Sequence, residues 1–240
     1  MVLGAYAIGV FPMADHRTAK SVYWVEPKRR AVLPLDGFSL SRSLRKTIVR
    51  NRFTVTADRA FDQVIALCAD AATDRPDTWI NPAIERVFVQ LHRMGYAHSI
   101  ECWDGERLAG GLYGLAMGRA FFGESMVSRE RDASKVALAW LVARLKLGGF
   151  TLLDCQFQTA HLASLGATEI SRAAYVGLLS TAIAGSVAGA VAGASGAASG
   201  DGAALAGDFF ALDRIGVSEI VTTESPPDGK VIAQLLTQTS

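Results

Sequence analysis

Phe150-Thr151-Leu152-Leu153-Asp154-Cys155-Gln156-Phe157 is an apolar run that stops at an acid and an amide two residues apart. In an extended strand the side chains alternate faces, so Asp154 and Gln156 point to one side and Cys155 to the other. A strand that turns polar at its C-terminal end, after a Gly148-Gly149 turn, is where an open α/β sheet places a ligand site. The two residues alone leave an alternative open, in which Asp154 caps a following helix and Gln156 satisfies a loop.

Outward from this strand the pattern is regular. Immediately upstream, a long amphipathic helix is expected from about Ala133 to Leu147 behind an Asp132 cap, with Leu138, Leu141 and Leu145 sharing a face by their spacing. Before it lie three candidate strands, Ala97 to Trp103, Arg107 to Ala116 and Arg119 to Met126, separated by Asp104-Gly105 and Met117-Gly118, which is hairpin chemistry. Two helices precede them. One is capped by Asp58 and carries Phe61, Val64, Ile65 and Cys68 on one face; the other starts at Asn81-Pro82. Short helices follow near Thr159 to Leu165 and Ser171 to Ala182. Helix, helix, antiparallel meander, long helix, strand, helix is the element order of the acyltransferase fold shared by the N-acetyltransferases (GNAT).

The first 57 residues read as a short helix ended by Gly9 and Pro12, strands at Val22 to Val25 and Arg30 to Pro34, a basic helix capped by Ser41, and a strand at Phe53 to Thr56. The expected class is therefore α+β, with a small basic N-terminal α+β domain (1–57) and a GNAT-like α/β/α domain with a mixed sheet (58–184). Gly185 to Gly207 is an Ala/Gly/Ser repeat with almost no large side chains, unable to bury enough apolar area to offset its ordering entropy. Residues 185–240 are accordingly expected to be a disordered, dispensable tail.

With 240 residues, of which 50% are hydrophobic, the chain can bury one substantial core and a smaller second one. A net charge of +1 says little, but ten Lys and Arg against Asp15, Glu26 and Asp36 give residues 1–52 a balance of +7. That basic front suggests an anionic partner, nucleic acid before membrane, or else a solvated face. Cys68, Cys102 and Cys155 are odd in number, lack CxxC spacing and sit in apolar patterns, as reduced core thiols do. Leu3 to Phe11 lacks the basic flank and cleavage site of a signal peptide, and the Ala/Gly tract near Tyr175 to Ala194 is too weakly hydrophobic for a membrane span, so a cytoplasmic location is expected. His98 and His161 stand beside no nucleophile or metal-ligand spacing and read as structural.

A set of motifs in fixed order carries a resemblance: Ala5-Tyr6-Ala7-Ile8-Gly9-Val10-Phe11-Pro12-Met13, Tyr23-Trp24-Val25-Glu26-Pro27 followed by Arg30, Thr78-Trp79-Ile80, His98-Ser99-Ile100-Glu101, Gly110-Gly111-Leu112-Tyr113-Gly114, Phe121 through Arg129, Ala133-Ser134-Lys135, Leu153-Asp154-Cys155-Gln156 and Ser164-Leu165-Gly166-Ala167. Over roughly residues 3 to 180 the chain resembles the bacterial leucyl/phenylalanyl-tRNA–protein transferases. The Ala/Gly-rich tail has no counterpart in that resemblance.

The resemblance implies transfer of Leu, Phe or Met from its tRNA to the N-terminal Arg or Lys of a protein, marking it for degradation, with no cofactor or metal and a monomer as the favoured state. It implies catalytic roles for Asp154 and Gln156, with Gln156 contacting the attacking amine and Asp154 orienting it or pairing with the acceptor's cationic end. By the same resemblance Trp24 and Trp79 lie near the 3′-terminal adenosine, where an indole can stack on a base. Leu112, Phe121, Met126, Leu138, Leu141, Leu145 and Leu153 fall where the family lines an apolar cavity for the donor side chain, and Glu124 where it keeps a buried acid to hold the donor's α-ammonium or the ribose; without the resemblance, the leucines would be ordinary core and Glu124 an ion-pair partner of Arg129 or Lys135. Arg42, Arg45 and Lys46 are the candidate tRNA contacts. Two other classes compete. A CoA-dependent N-acetyltransferase needs a glycine-rich loop before the long helix, whereas Met126 to Ser134 contains no glycine and two acids. A non-catalytic RNA-binding protein would leave the polar pair and the apolar pocket without a purpose.

Overall fold

The computed structural model describes residues 1–70, 77–193, 206–215 and 227–237, with side chains described outside 185–193. The chain opens with helix α1 (Val2–Ala7) and a two-stranded antiparallel ribbon, β1 (Phe11–Met13) on β2 (Tyr23–Val25). Then come β3 (Arg29–Val32), α2 (Arg42–Val49), β4 (Thr54–Ala57), α3 (Phe61–Ala69) and α4 (Pro82–Arg93). The meander follows as β5 (Ala97–Asp104), β6 (Arg107–Met117) and β7 (Ala120–Ser128), then α5 (Ala133–Leu147) and β8 (Leu152–Gln156). The remaining elements are α6 (Ala160–Ser164), β9 (Thr168–Ser171), α7 (Arg172–Gly193) and α8 (Gly229–Thr237).

The strands β4-β5-β6-β7-β8-β3-β9 form one seven-stranded mixed sheet, antiparallel throughout except for β7 beside β8. That parallel pair is joined by the α5 crossover, the connection parallel strands require. One face of the sheet packs against α5, which α2 and α8 cover in turn, and the other against α3, α4 and α7, with α1 beside α7. Strand β3 sits between β8 and β9, and β4 lies at the opposite edge, so residues 1–57 supply two strands of the main sheet. The boundary expected near residue 57 is thus crossed by the sheet, because neither strand has enough partners within the first 57 residues.

Several start signals act as expected. Ser41 Oγ accepts from Leu44 N, and Asn81 Oδ1 accepts from Ala83 N and Ile84 N with Pro82 in the first turn. Two expected caps do something else. Asp58 adopts φ +57° and binds His98 Nδ1 at 2.6 Å and Ser99 N at 2.7 Å, leaving Ala60 as the N-cap of α3. Asp132, also left-handed at φ +69°, makes no side-chain cap bond to α5.

The C-terminal region departs most from expectation. Helix α7 runs on to Gly193, and residues 194–205 of the Ala/Gly tract lie outside the described residues. Beyond it, Phe209, Leu212, Ile232 and Leu236 are buried in the core on the α5 side, so these two segments of the expected tail are part of the fold. They explain why α5 is buried on nearly every side instead of presenting a polar face. Arg144 on α5 is 2% exposed and forms a two-pronged pair with Asp213 (2.6 Å each) plus a bond to the Phe209 carbonyl. Among the described residues, no helix is long and apolar enough to cross a membrane.

Candidate active site

Strands β7 and β8 pair only from Ala120↔Leu152 to Phe122↔Asp154, and then part. Beyond that point β7 stays with β6 and β8 with β3, so a gap opens in the middle of the sheet. At the gap β7 carries a bulge: Gly114 faces Gly123 while Tyr113 faces Ser125, leaving Glu124 as the extra residue. A bulge re-aims one side chain and reverses the alternation after it. Phe121 and Met126 therefore share the α5 side although an unbroken strand would oppose them.

The polar side of the gap is a connected network. Asp154 is fully buried, and Arg30 grips it with Nε at 2.8 Å and Nη2 at 2.5 Å. Its oxygens also accept from Tyr175 Oη and from the Gln156 backbone N–H, each at 2.8 Å. The last bond is an Asx turn, in which an aspartate captures the amide two residues on. It holds Gln156 at φ +60°, a backbone that L-residues rarely adopt, and such outliers persist only where surrounding contacts impose them. Arg30 in turn donates to the Gly9 carbonyl at 3.0 Å and lies between the Phe11 and Tyr175 rings, 4.6 Å from each centroid. Gly9 (φ +82°) has no room for a side chain there, since a Cβ would meet the Tyr175 ring at 2.8 Å.

Gln156 Nε2 donates to Glu124 Oε1 at 2.8 Å, and Tyr6 Oη donates to the same oxygen at 2.8 Å. Burial pushes the Tyr6 hydroxyl up, keeping it a donor. Burial likewise pushes the Glu124 carboxyl up to about 8, with the Tyr6 bond opposing the shift and the Asp154 charge adding to it.

A cavity of about 280 Å³ occupies the gap, near the lower end of the range for small-ligand sites. Leu112, Met126, Leu138, Leu141 and Leu153 form its apolar end on the α5 side, while Glu124, Gln156, Ser125, Tyr113 and Trp79 line the other. Eight of the residues expected at the site are thus brought together: Trp79, Leu112, Glu124, Met126, Leu138, Leu141, Leu153 and Gln156. Phe121 and Leu145 are fully buried core behind it. Asp154 is not on the cavity wall; with both oxygens taken by Arg30, Tyr175 and Gln156 N, it cannot pair with an incoming cation. Trp24, expected near the adenosine, is 43% exposed on the ribbon. Arg42, Arg45 and Lys46 are exposed on α2 and make no ion pair among the described residues, whereas Arg17, Arg29, Arg30 and Arg52 are matched to later acids. His98 is structural, held by Asp58 and stacked on Phe209, but His161 lines the cavity.

Sequence reasoning missed Cys155, Phe157, Thr159 and Leu162 on the wall, and Tyr6, Arg30 and Tyr175 behind it. For Asp154 a signal existed, since Asp-x-Gln has the spacing of an Asx turn.

Glu124→Gln is expected to melt higher than wild type at pH 9 and close to it at pH 4. The folded protein binds this proton more tightly than the unfolded chain does. The carboxyl's contribution to stability is full below its ordinary value of 4.5 and is lost as pH rises through about 8. Thermal melts from pH 4 to 9 check this, and a gap that does not widen with pH would place the carboxyl in wetter surroundings.

The fold and the cavity define an α+β protein whose sheet opens onto one site with an apolar end and a carboxyl–amide end. The family model described as leucyl/phenylalanyl-tRNA protein transferase matches residues 32–180. The chain is 63% identical over 241 residues to the leucyl/phenylalanyl-tRNA–protein transferase of Rhizorhabdus wittichii, covering 100% of this chain and 97% of that one. It is 51% identical over 251 residues to that of Novosphingobium aromaticivorans (100% and 95% covered), and 63% identical over 183 residues to that of Zymomonas mobilis (76% and 68% covered). The chain belongs to the leucyl/phenylalanyl-tRNA–protein transferase family. The first two alignments span the C-terminal region as well, so the tail has counterparts among relatives.

Proposed function

We propose that this protein transfers leucine, phenylalanine or methionine from aminoacyl-tRNA to the N-terminal Arg or Lys of an acceptor protein. The observation that carries the reading is the cavity at the strand gap, where an apolar end for a donor side chain adjoins the Gln156–Glu124 pair. Aminolysis of an ester by an α-amine needs an unprotonated amine, an oriented carbonyl and stabilisation of the tetrahedral oxyanion. With its Nε2 committed to Glu124, Gln156 keeps a carbonyl oxygen to accept from the N–H of the attacking amine. Asp154 is a positioning residue in this account, holding the Gln156 backbone through the Asx turn. Trp79 offers its ring to the terminal base, and Trp24 an exposed face to the same strand of RNA. The divergent β7–β8 pair with its α5 crossover supports an N-acetyltransferase-like architecture for the main sheet.

The direct test is one incubation of purified protein with labelled Leu-tRNA, acetyl-CoA and an Arg-starting peptide. Label on the peptide N-terminus is the expected result. Acetylation of the peptide, or tRNA binding with no product, would overturn the reading.

Two further outcomes are expected. Leu141→Phe narrows the apolar end and should penalise Phe transfer more than Leu transfer, since a methylene-scale misfit is worth about 1–3 kcal/mol. Ratios of kcat/KM for the two donors check this; equal losses would make Leu141 core alone. Neutralising Arg42, Arg45 and Lys46 together should flatten the salt dependence of tRNA affinity by about one unit for each phosphate that these side chains neutralise. An unchanged slope would mean that the RNA lies elsewhere.

A further inference from the structure

We propose that Glu124 is the proton carrier of the transfer reaction, a role that rests on the aminoacyl-transfer reading above. Its Oε2 takes a proton from the attacking α-amine as the C–N bond forms, and gives it to the ribose 3′-oxygen as the ester C–O bond breaks. The two oxygens of this carboxyl are not equivalent. Oε1 is saturated by Tyr6 Oη and Gln156 Nε2, whereas Oε2 is buried, accepts no hydrogen bond and belongs to a residue on the cavity wall. Leaving a buried carboxylate oxygen unpaired costs stability unless a ligand completes it. The β7 bulge that exposes Glu124 at the gap also sets it beside Gln156, the group that would hold the same amine.

Four neighbouring polar groups suit the task less well. Asp154 has its oxygens committed to Arg30, Tyr175 and Gln156 N. Gln156 has no titratable proton. Burial pushes the Cys155 thiol up, leaving it protonated. His161 lies on α6 and also lines a second depression with Lys135, and burial and that lysine hold its pKa down. The groups that face Glu124 are Tyr6 on α1, Tyr113 on β6, Arg30 on β3, and Asp154 and Gln156 on β8. Their combined surroundings hold the carboxyl at about 8, beside the ordinary α-amine range of about 7.7–8.0. A carboxyl in this range can both accept and return a proton near neutral pH, the condition under which a positioned acid–base group is most effective. The step balances without a co-reactant. A neutral amine enters, its proton travels through Glu124 to the leaving oxygen, and amide and free tRNA leave.

The test compares wild type, Glu124→Gln and Glu124→Ala with aminoacyl-tRNA and an Arg-starting peptide. Glu124→Gln keeps an amide in the same volume and should bind aminoacyl-tRNA as wild type does, while kcat falls about 10²–10⁴-fold. Glu124→Ala should recover activity with added formate, and Glu124→Gln should not. Wild-type transfer measured alongside reports on the reaction itself, so inactive variants beside an active wild type bear on Glu124 alone. Should neither variant fold, the wild type carries the test with hydroxylamine as nucleophile, whose nitrogen is already unprotonated at pH 7. A rise in rate through about pH 8 that persists with hydroxylamine supports the proposal. Loss of that rise, or a Glu124→Gln kcat within threefold of wild type, overturns it.

Discussion

Arg30→Met is expected to cost about 3–5 kcal/mol of folding stability, because it leaves the Asp154 carboxylate buried without its counter-charge. Arg30 is 1% exposed and touches four parts of the chain at once: Gly9, Phe11, Asp154 and Tyr175. For a protein of this size the loss corresponds to a fall in Tm of roughly 10 °C. Adding Asp154→Asn should recover part of it by removing the stranded charge, which a simple loss of packing would not allow. Urea unfolding of the two single variants and the double variant measures the coupling. Activity should follow a separate course. In the folded fraction of Arg30→Met, KM for tRNA should stay near wild type while kcat falls, because the Asx turn that sets Gln156 loses its support. A variant that melts within about 1 °C of wild type would show that the pair holds nothing in place.

Ending the chain at Ala184 is expected to abolish cooperative folding. The truncation removes Phe209, Leu212, Ile232 and Leu236, all buried. Full burial of such side chains is worth about 1.5–3 kcal/mol each, against a total stability of about 5–15 kcal/mol for a typical domain. It also strands the Arg144 guanidinium, whose partners Asp213 and the Phe209 carbonyl both lie in the deleted part. Circular dichroism melts of the truncated and full-length chains decide the matter. A truncated protein that stays soluble and melts within about 3 °C of full length would show that these segments only rest on the core.

Most strands and helices were legible because their periodicity is local: β5, β6, β7, α4 and α5 fall within a few residues of where apolar spacing and hairpin turns put them. What escaped was carried by contacts distant in sequence. The tail looked dispensable because its Ala/Gly tract dominates the composition, while the anchoring side chains are few and far apart. The Glu124 bulge is a property of two strands in register, and no single-strand pattern displays it. Leu138 and Leu141 belong to the cavity and Leu145 to the core, yet all three are leucines on one face of α5. Asp154 and Gln156 look alike in the sequence, but Gln156 lines the cavity and Asp154 is buried behind it. The difference comes from the buried Arg30, 124 residues away, which holds Asp154 in the network while Gln156 stays on the cavity wall.

The most direct measurement is a structure of the protein with a stable, amide-linked phenylalanyl-adenosine. The phenyl ring is expected among Leu112, Met126, Leu138, Leu141 and Leu153, the adenine on Trp79, and the carbonyl carbon within reach of an amine held at Gln156. A ligand bound outside the β7–β8 gap, or one whose side chain points to solvent, would contradict this placement.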